Sequence, residues 1–439
     1  MVNGKVPEKR ARSGSTKVEL DVCIGSAALP VGKLVYVKDG PREFSQFTYL
    51  EEWLRDAAFF DISADLTRNP GYQLRRAPTK DDSPFFLALA DTEPDAWGRR
   101  VIGRAHARQR KADASLRQLT EIDYLCAVDD FSRIGALRLR TPEKRYVRSA
   151  EKGERTTPPL LELEGVLSAS RRLEMSQETA EDLKYLQGKG TSLGGMRPKC
   201  TVLDHDGALA IGKFPSVQDE RSVTRAEVLA LKLARLAGIE AAEARIEIVQ
   251  GAAVALVRRF DRTSTQARIP YMSGSALLQA SRNDDRAYTE IVDQMRSSSI
   301  DFNADARQLW RRLVFNHLIT NVDDHLQNIG FLYVGRNLWR LSPAFDVNPF
   351  PDKDRESKTW LSEDTGPIVS VGQLLDQAAR FQLTPEQARR VLGEVARAVR
   401  KWRDLAASQD VGLSAQELDD FAPAFEHSDL EDAVRLAKA

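Results

Sequence analysis

Cysteine is scarce: Cys23, Cys126 and Cys200 are the only three in 439 residues, far apart and in no metal-ligand spacing. Their odd number and spacing speak against a disulfide framework or a thiolate metal cluster, and suit small core residues in a reducing compartment. Net charge is also missing, because 64 Lys and Arg balance 64 Asp and Glu, so no global field draws the chain to nucleic acid or membrane. Any such partner must meet a local patch. No apolar run approaches membrane-spanning length, and the first residues, through Lys17, are polar and basic without an apolar signal segment. A soluble cytoplasmic protein with no membrane partner is expected. Repeats and long low-complexity tracts are absent, while a charged fraction of 29% and an apolar fraction of 42% are those of globular chains. The length allows two or three domains.

Strands come first along the chain. Val18, Leu20, Val22 and Ile24 alternate with polar or small residues, and Lys33 to Lys38 and Phe47 to Leu50 read as further strands broken by Pro30, Gly40 and Pro41. A helical region from about Ala96 to Leu119 carries Arg99, Arg100, Arg104, Arg108, Arg110, Lys111 and Arg117. Such density could meet phosphates, although a solvated outer face is the commoner use. Thr141 to Pro159 has the composition of a linker. Lys199 to Phe214 reads as a hairpin turning at Asp204-His205-Asp206-Gly207, and Thr224-Arg225-Ala226-Glu227 has the capping-box pattern of a helix that Gly238 stops. Ile246 to Val249 and Val254 to Val257 form a strand pair around Gly251, and Thr384-Pro385 opens a helix with Val391, Leu392, Val395, Val399 and Trp402 on one face. The expected boundaries are a flexible basic tail at 1–17, a small N-terminal domain at 18–150, a strand-rich small lobe with a phosphate loop at 151–262, and a helical large lobe at 263–439. The fold class expected is α+β, two-lobed and protein-kinase-like.

The chemistry concentrates in the last third. Phosphoryl transfer needs a carboxylate to hold the attacking hydroxyl and oxygen ligands for the magnesium that bridges ATP phosphates. Asp323, Asn328 and Asp346 supply all three. Asp323 and Asn328 have the separation of the kinase catalytic Asp and its metal-binding Asn, whereas Asp324 sits one position too close. Leu309, Trp310, Leu313, Val314, His317 and Leu318 recur at helical spacing just before the loop, and Ile329 to Val334 and Leu338 to Leu341 flank the turn Gly335-Arg336-Asn337. That hairpin would return Asp346 beside Asn328.

Gly188, Gly190, Gly194 and Gly195 surround Ser192 just before the strand that opens at Lys199, a place where backbone N–H groups approach phosphate oxygens. The pattern is neither a Walker A nor a Gly-x-Gly-x-x-Gly loop. Lys213 is the candidate for the α- and β-phosphates, with Lys199 a second cation. Glu227 either orients that lysine or caps its own helix. Arg259 and Phe260 follow the second strand pair, where backbone groups could take the adenine edge.

These segments resemble the HipA-type serine/threonine kinase toxins, on Ser192-Leu193-Gly194-Gly195-Met196-Arg197-Pro198-Lys199, on the Asp323-Asp324-His325-x-x-Asn328 loop and on Ser342-Pro343-Ala344-Phe345-Asp346. Phe345 stands where the family has Tyr, keeping the ring and losing the hydroxyl. Arg259-Phe260-Asp261-Arg262 and Gly135-Ala136-Leu137-Arg138 extend the resemblance. It implies a protein kinase using ATP and Mg2+, with Asp323 as base, Asn328 and Asp346 on the metal, and Ser192, Gly194, Gly195, Lys199, Lys213, Arg259, Phe260 and His325 around the nucleotide. It further implies inhibitory autophosphorylation at Ser192, an aminoacyl-tRNA synthetase as protein substrate, and a small helix-turn-helix antitoxin as the link to DNA. A phosphate on Ser192 would repel those of ATP, although the hydroxyl also suits its own turn. Two rivals stand beside this reading: a small-molecule phosphotransferase of kinase-like fold, and a non-catalytic pseudokinase partner of a DNA-bound repressor.

Overall fold

The computed structural model describes residues 15–149, 157, 160–189 and 195–438. Its fold is α+β, strand-rich toward the N-terminus and mainly helical toward the C-terminus. The described residues fall into two compact units, one running to Val217 and including Asp261–Met272, the other made of Gln218–Phe260 and the chain from Ser273 onward.

The first unit opens with an antiparallel sheet of five strands in the order Gln73–Arg75, Arg42–Tyr49, Leu29–Asp39, Ser15–Ile24, Leu137–Arg140. Alternation puts Val18, Leu20, Val22, Leu34, Tyr36 and Phe47 into the core, with Phe85 and Phe86 against them. Phe86 stands 5.9 Å from Phe47, and Phe85 5.6 Å from Tyr36. A Cβ on Gly32 would fall 2.4 Å from Phe47 Cζ and 2.6 Å from the Thr48 carbonyl oxygen, so only glycine lets these strands close.

Two expectations change in this unit. The basic helix is shorter, Ala96–Ala112, and its charges are largely spoken for within the protein. Arg99 pairs with Glu121 at 2.7 Å, Arg104 with Glu178 at 2.7 Å, and beyond the helix Arg117 grips Asp123 with both guanidinium nitrogens. The start of the expected linker also folds back: Thr141 N–H bonds the Arg145 carbonyl at 2.8 Å and Lys144 reaches Asp21 at 2.5 Å. Residues 150–156 and 158–159 of that segment lie outside the described residues. After helices Leu163–Glu174 and Ala180–Lys189, the Lys199–Leu203 and Leu209–Lys213 strands pair as the expected hairpin, with Lys199 opposite Lys213.

The segment Asp261–Met272 closes this unit by joining two stretches far apart in sequence. The Asp261 carboxylate accepts from the Gly135 N–H at 2.7 Å, and Arg262 donates to the Arg133 carbonyl at 2.9 Å and to Asp261 Oδ2 at 2.6 Å. Gly135 sits at φ +68°, which strains any side chain, and a Cβ there would crowd Tyr271 N at 3.1 Å. Asp261 and Arg262 thus act as a clamp on the 128–138 turn.

The second unit is built on helices. Val223–Leu236 buries Val228, Leu229, Leu231 and Leu233. The hairpin Ala244–Val249 with Ala252–Arg258 turns at Gln250 and Gly251, both at positive φ. Helices Tyr288–Ser298, Phe302–Leu318 and Pro385–Val399 carry much of the core, in which Trp310, Phe315, Val391, Leu392, Val395 and Val399 are almost wholly buried. Thr384 caps the last of these through its hydroxyl, which accepts from Gln387 N–H at 3.2 Å while the Gln387 side chain reaches back to Thr384 N–H.

Candidate active site

Helix Phe302–Leu318 leads into the candidate loop. Asp301 caps its start by accepting from Ala304 N–H at 3.1 Å, and the stripe expected from sequence, Leu309 to Leu318, faces inward. The helix also carries Arg312, buried to 8% exposure, whose guanidinium donates at 2.5 Å to the carbonyl of Ser342. One helix thus holds both the loop and the segment that ends at Asp346. Burial depresses the Arg312 pKa to about 10, so at neutral pH it stays a cation inside the unit.

At the helix end Thr320 takes φ +52°, its hydroxyl bonds the Ala424 carbonyl, and the loop turns back. The next residues divide two roles between adjacent aspartates. Asp324 is 4% exposed and fully engaged: Tyr288 Oη donates to Oδ2 at 2.6 Å, and the Lys358 backbone N–H to Oδ1 at 2.7 Å. Thr359 Oγ1 donates to its carbonyl at 2.7 Å. Burial raises its pKa to about 6 despite these donors. Asp323 is the exposed member, its side chain 53% accessible, with Lys358 Nζ 3.4 Å and His325 Nε2 3.9 Å from Oδ1. A carboxylate that must meet an incoming hydroxyl needs that exposure.

Asn328 Nδ2 donates to the Asp323 carbonyl at 2.9 Å. The bond uses the amide nitrogen and leaves the amide oxygen for a cation. Burial lowers the pKa of His325, while Asp323 and Asp346 act on the ring to raise it. Its imidazole is therefore neutral at physiological pH. Gly274 packs against the loop's far end, donating its N–H to the Ile329 carbonyl at 2.7 Å, and a Cβ there would meet the Leu326 carbonyl at 2.9 Å.

The hairpin forms as expected, from Gly330–Gly335 and Leu338–Leu341, with Arg336 and Asn337 both at positive φ. Two consecutive left-handed residues are the tight hairpin turn whose twist matches the strands. Ser342 N–H then bonds the Gly330 carbonyl, and Ala344 exchanges bonds with Glu240 and Ala242. Phe345 lies 5.3 Å from Phe260, ring to ring. Asp346 follows at φ +54°, a conformation that Asp tolerates better than most side chains and that tends to persist at functional sites. Asn321, Asp324, His325, Asn328, Phe345 and Asp346 line one cavity.

The second unit thus brings Asn328, His325 and Asp346 around one cavity, with Asp323 at its edge beside His325. Among the described residues no three His, Cys, Asp or Glu side chains form a ready-made metal cluster. The donors present are one carboxylate and one amide oxygen, a set that suits Mg2+, which takes few protein oxygens and completes its shell with phosphate and water. Glu227 and Arg259 belong to the same unit and are buried. Glu227 is not a capping residue. Its helix starts at Val223, the Ser222 hydroxyl bonds Glu417, and Thr224 Oγ1 turns to the Ala253 carbonyl at 2.8 Å.

In the first unit Gly195 takes φ +85°, and a Cβ there would lie 2.8 Å from Lys199 Nζ. Lys199, 4% exposed, stands 3.4 Å from Asp95 Oδ2 and directly across the ladder from Lys213. Like charges opposed on one face of a hairpin repel unless an anion is near. Ser192 and Gly194 lie outside the described residues.

Sequence reasoning missed Arg312, Tyr288, Lys358 and Gly274. Only Arg312 left a trace, as a cation embedded in the apolar stripe from Leu309 to Leu318.

Residues 191–402 match the HipA-like C-terminal domain family. Among solved structures, a chain of the Shewanella oneidensis MR-1 toxin–antitoxin complex of HipA, HipB and operator DNA is similar, with TM-score 0.61 and 15% identity over 95% of this chain and 96% of that one. The Helicobacter pylori proinflammatory kinase CtkA gives TM-score 0.43 and 16% identity over 56% of this chain and 94% of its own. No curated protein matches. Residues 191–402 thus match a HipA-like C-terminal domain, and nearly the whole chain shares the fold of the Shewanella HipA-complex chain.

Proposed function

We propose that the chain is a serine/threonine protein kinase that uses ATP and Mg2+ to phosphorylate a protein hydroxyl. The observation that carries this reading is the division of labour between neighbours: Asp324 buried as an anchor, Asp323 exposed beside a cavity lined by Asn328 and Asp346. In this reading Asp323 receives the proton of the substrate hydroxyl, while Asn328 Oδ1 and the Asp346 carboxylate hold the metal. Bound Mg2+ supplies charge neutralisation at the phosphates. Neutral His325 lines the nucleotide side. Lys199 and Lys213 suit phosphate oxygens, Phe260 and Arg259 the base, and Glu227 the orientation of a lysine.

The family also supports a finer reading: the toxin of a toxin–antitoxin pair, cytoplasmic, restrained by a helix-turn-helix partner and by phosphate on Ser192, with an aminoacyl-tRNA synthetase as the class of substrate. The similar Shewanella protein is in a complex with HipB and operator DNA, which favours such a partner. Incubation of the purified chain with labelled ATP and Mg2+ tests the core of the reading. Transfer to protein is expected, falling about 10²-fold or more in Asp323→Ala, since removing a positioned base costs that much. Undiminished transfer in that variant removes Asp323 from the role. Phosphopeptide mass spectrometry tests Ser192, which should carry phosphate in the active chain and not in Asp323→Ala.

A further inference from the structure

Lys358 stands out in the second unit because its backbone and its side chain serve different neighbours. Its N–H is spent on the buried Asp324 carboxylate at 2.7 Å, and the residues on either side are also tied down. Thr359 Oγ1 donates to the Asp324 carbonyl, and the Ser357 hydroxyl donates to the Thr359 carbonyl at 2.6 Å while accepting from Ile368 N–H at 2.7 Å. Trp360 N–H bonds the Arg286 carbonyl at 3.0 Å. Out of this fixed backbone the side chain emerges 61% exposed, its ammonium 3.4 Å from Asp323 Oδ1. An exposed ion pair of that length contributes little to stability. Its placement matters more: the tether that holds Asp324 also delivers a cation to Asp323. Two other cations of this unit are committed elsewhere, Arg312 to the Ser342 carbonyl and Arg355 to Asp429 at 2.8 Å.

We infer that Lys358 is a catalytic residue of the proposed kinase, its ammonium contacting the phosphoryl group as it passes to the substrate hydroxyl. The inference rests on the reading under Proposed function and adds a residue to it. In the transfer the hydroxyl oxygen forms a bond to the γ-phosphorus, and the bond between that phosphorus and the β,γ-bridging oxygen breaks. The electron pair leaves with ADP, and the hydroxyl proton goes to Asp323. Charge spreads over the equatorial phosphoryl oxygens in the transition state, where a preplaced cation acts without reorganisation. Before substrate arrives, the same ammonium rests on Asp323. Once the phosphoryl group is in place, it shifts to those oxygens and releases the carboxylate to take the proton.

The test compares Lys358→Met and Lys358→Arg with the unaltered full chain, by calorimetric titration and by transfer kinetics. Mg2+·ADP alone should bind all three within about twofold. Mg2+·ADP with aluminium fluoride, which imitates the planar phosphoryl group, should bind Lys358→Met at least about 10-fold more weakly, with Lys358→Arg close to the parent. Transfer by Lys358→Met should fall about 10²-fold in kcat, with little change in KM for ATP. Equal affinity for the fluoride complex in Lys358→Met, or an unchanged kcat, overturns the inference and leaves the kinase reading intact. Failure of the unaltered chain to bind Mg2+·ADP overturns both. Thermal melting should show all three folded alike.

Discussion

Two adjacent aspartates show how far burial alone can separate the surroundings of one residue type. Asp323 is accessible and Asp324 is not, and Asp324 has its pKa raised by burial to about 6 from an ordinary 3.8. The folded chain therefore holds that proton more tightly than the unfolded chain. The contribution to stability is complete below about pH 3.8 and is lost as pH rises through about 6, a swing of about 3 kcal/mol at most. Asp324→Asn removes this titration. Urea denaturation from pH 4 to 7 should show the variant gaining on the parent with rising pH; a constant difference across that range would refute the shift. Tyr288→Phe deletes the 2.6 Å donor to Asp324 and should cost roughly 1–3 kcal/mol at neutral pH, because a buried carboxylate loses a partner. The proposed kinase activity should fall with it, since the loop that carries Asp323 loses an anchor. Spacing from Asn328 favours Asp323 over Asp324, whereas the bonds that engage Asp324 come from Tyr288, Lys358 and Thr359, which no local pattern connects to it.

Among the elements, the hairpin between the loop and Asp346 was legible because its signal is local: two apolar runs and a turn. The turn itself is imperfect, since Arg336 occupies a left-handed position without the tolerance of Asn or Gly. Replacing Arg336-Asn337 by Asn-Gly should raise stability by about 0.5–1 kcal/mol, read as an increase in Tm with unchanged nucleotide binding. The opposite is expected at Gly32, where Gly32→Ala drives a methyl into Phe47 and the Thr48 carbonyl and should destabilise the first unit by about 1–3 kcal/mol. The helix at Val223–Leu236 taught a different lesson. Thr224-x-x-Glu227 has the letters of a capping box, yet Thr224 lies inside the helix with its hydroxyl on Ala253, while Ser222 is taken by Glu417 from a helix far along the chain. A sequence motif for a cap presumes that its side chains have no better partner, and here the tertiary neighbours supplied one.

Taken across the whole molecule, buried titratable groups oppose one another in acid. His427, which bonds the Leu318 carbonyl at 3.2 Å, is held by burial at a pKa of about 4, well below its ordinary 6.5. The folded chain binds that proton less readily than the unfolded chain, so its contribution is present above pH 6.5 and lost as pH falls toward 4, about 3 kcal/mol at most. Asp429, held down to about 2 by His317 and then Arg355, adds a further loss below pH 3.8. Asp324 runs the other way between 4 and 6. The parent profile should therefore be nearly level between pH 6.5 and 4, while His427→Gln, which keeps a donor for Leu318, should become more stable as pH falls through that range in melting experiments. An unchanged slope would show that other groups govern it.

Periodicity and spacing along the chain were enough for the α+β class, the sheet at the start, the helix before the loop and the hairpin; the proposed Asp323, Asn328 and Asp346 set rests on the same kind of local spacing. Each of these is written in residues near one another, where alternation, helical repeat or turn chemistry has a direct steric cause. Tertiary structure alone decided that Asp261 and Arg262 clamp the Gly135 turn, that the basic helix spends most of its charge inside the protein, that Arg312 holds Ser342, and that Lys358 comes to Asp323. Those contacts join segments separated by tens to hundreds of residues, and their free energy comes from desolvating and pairing groups that only the folded core brings together.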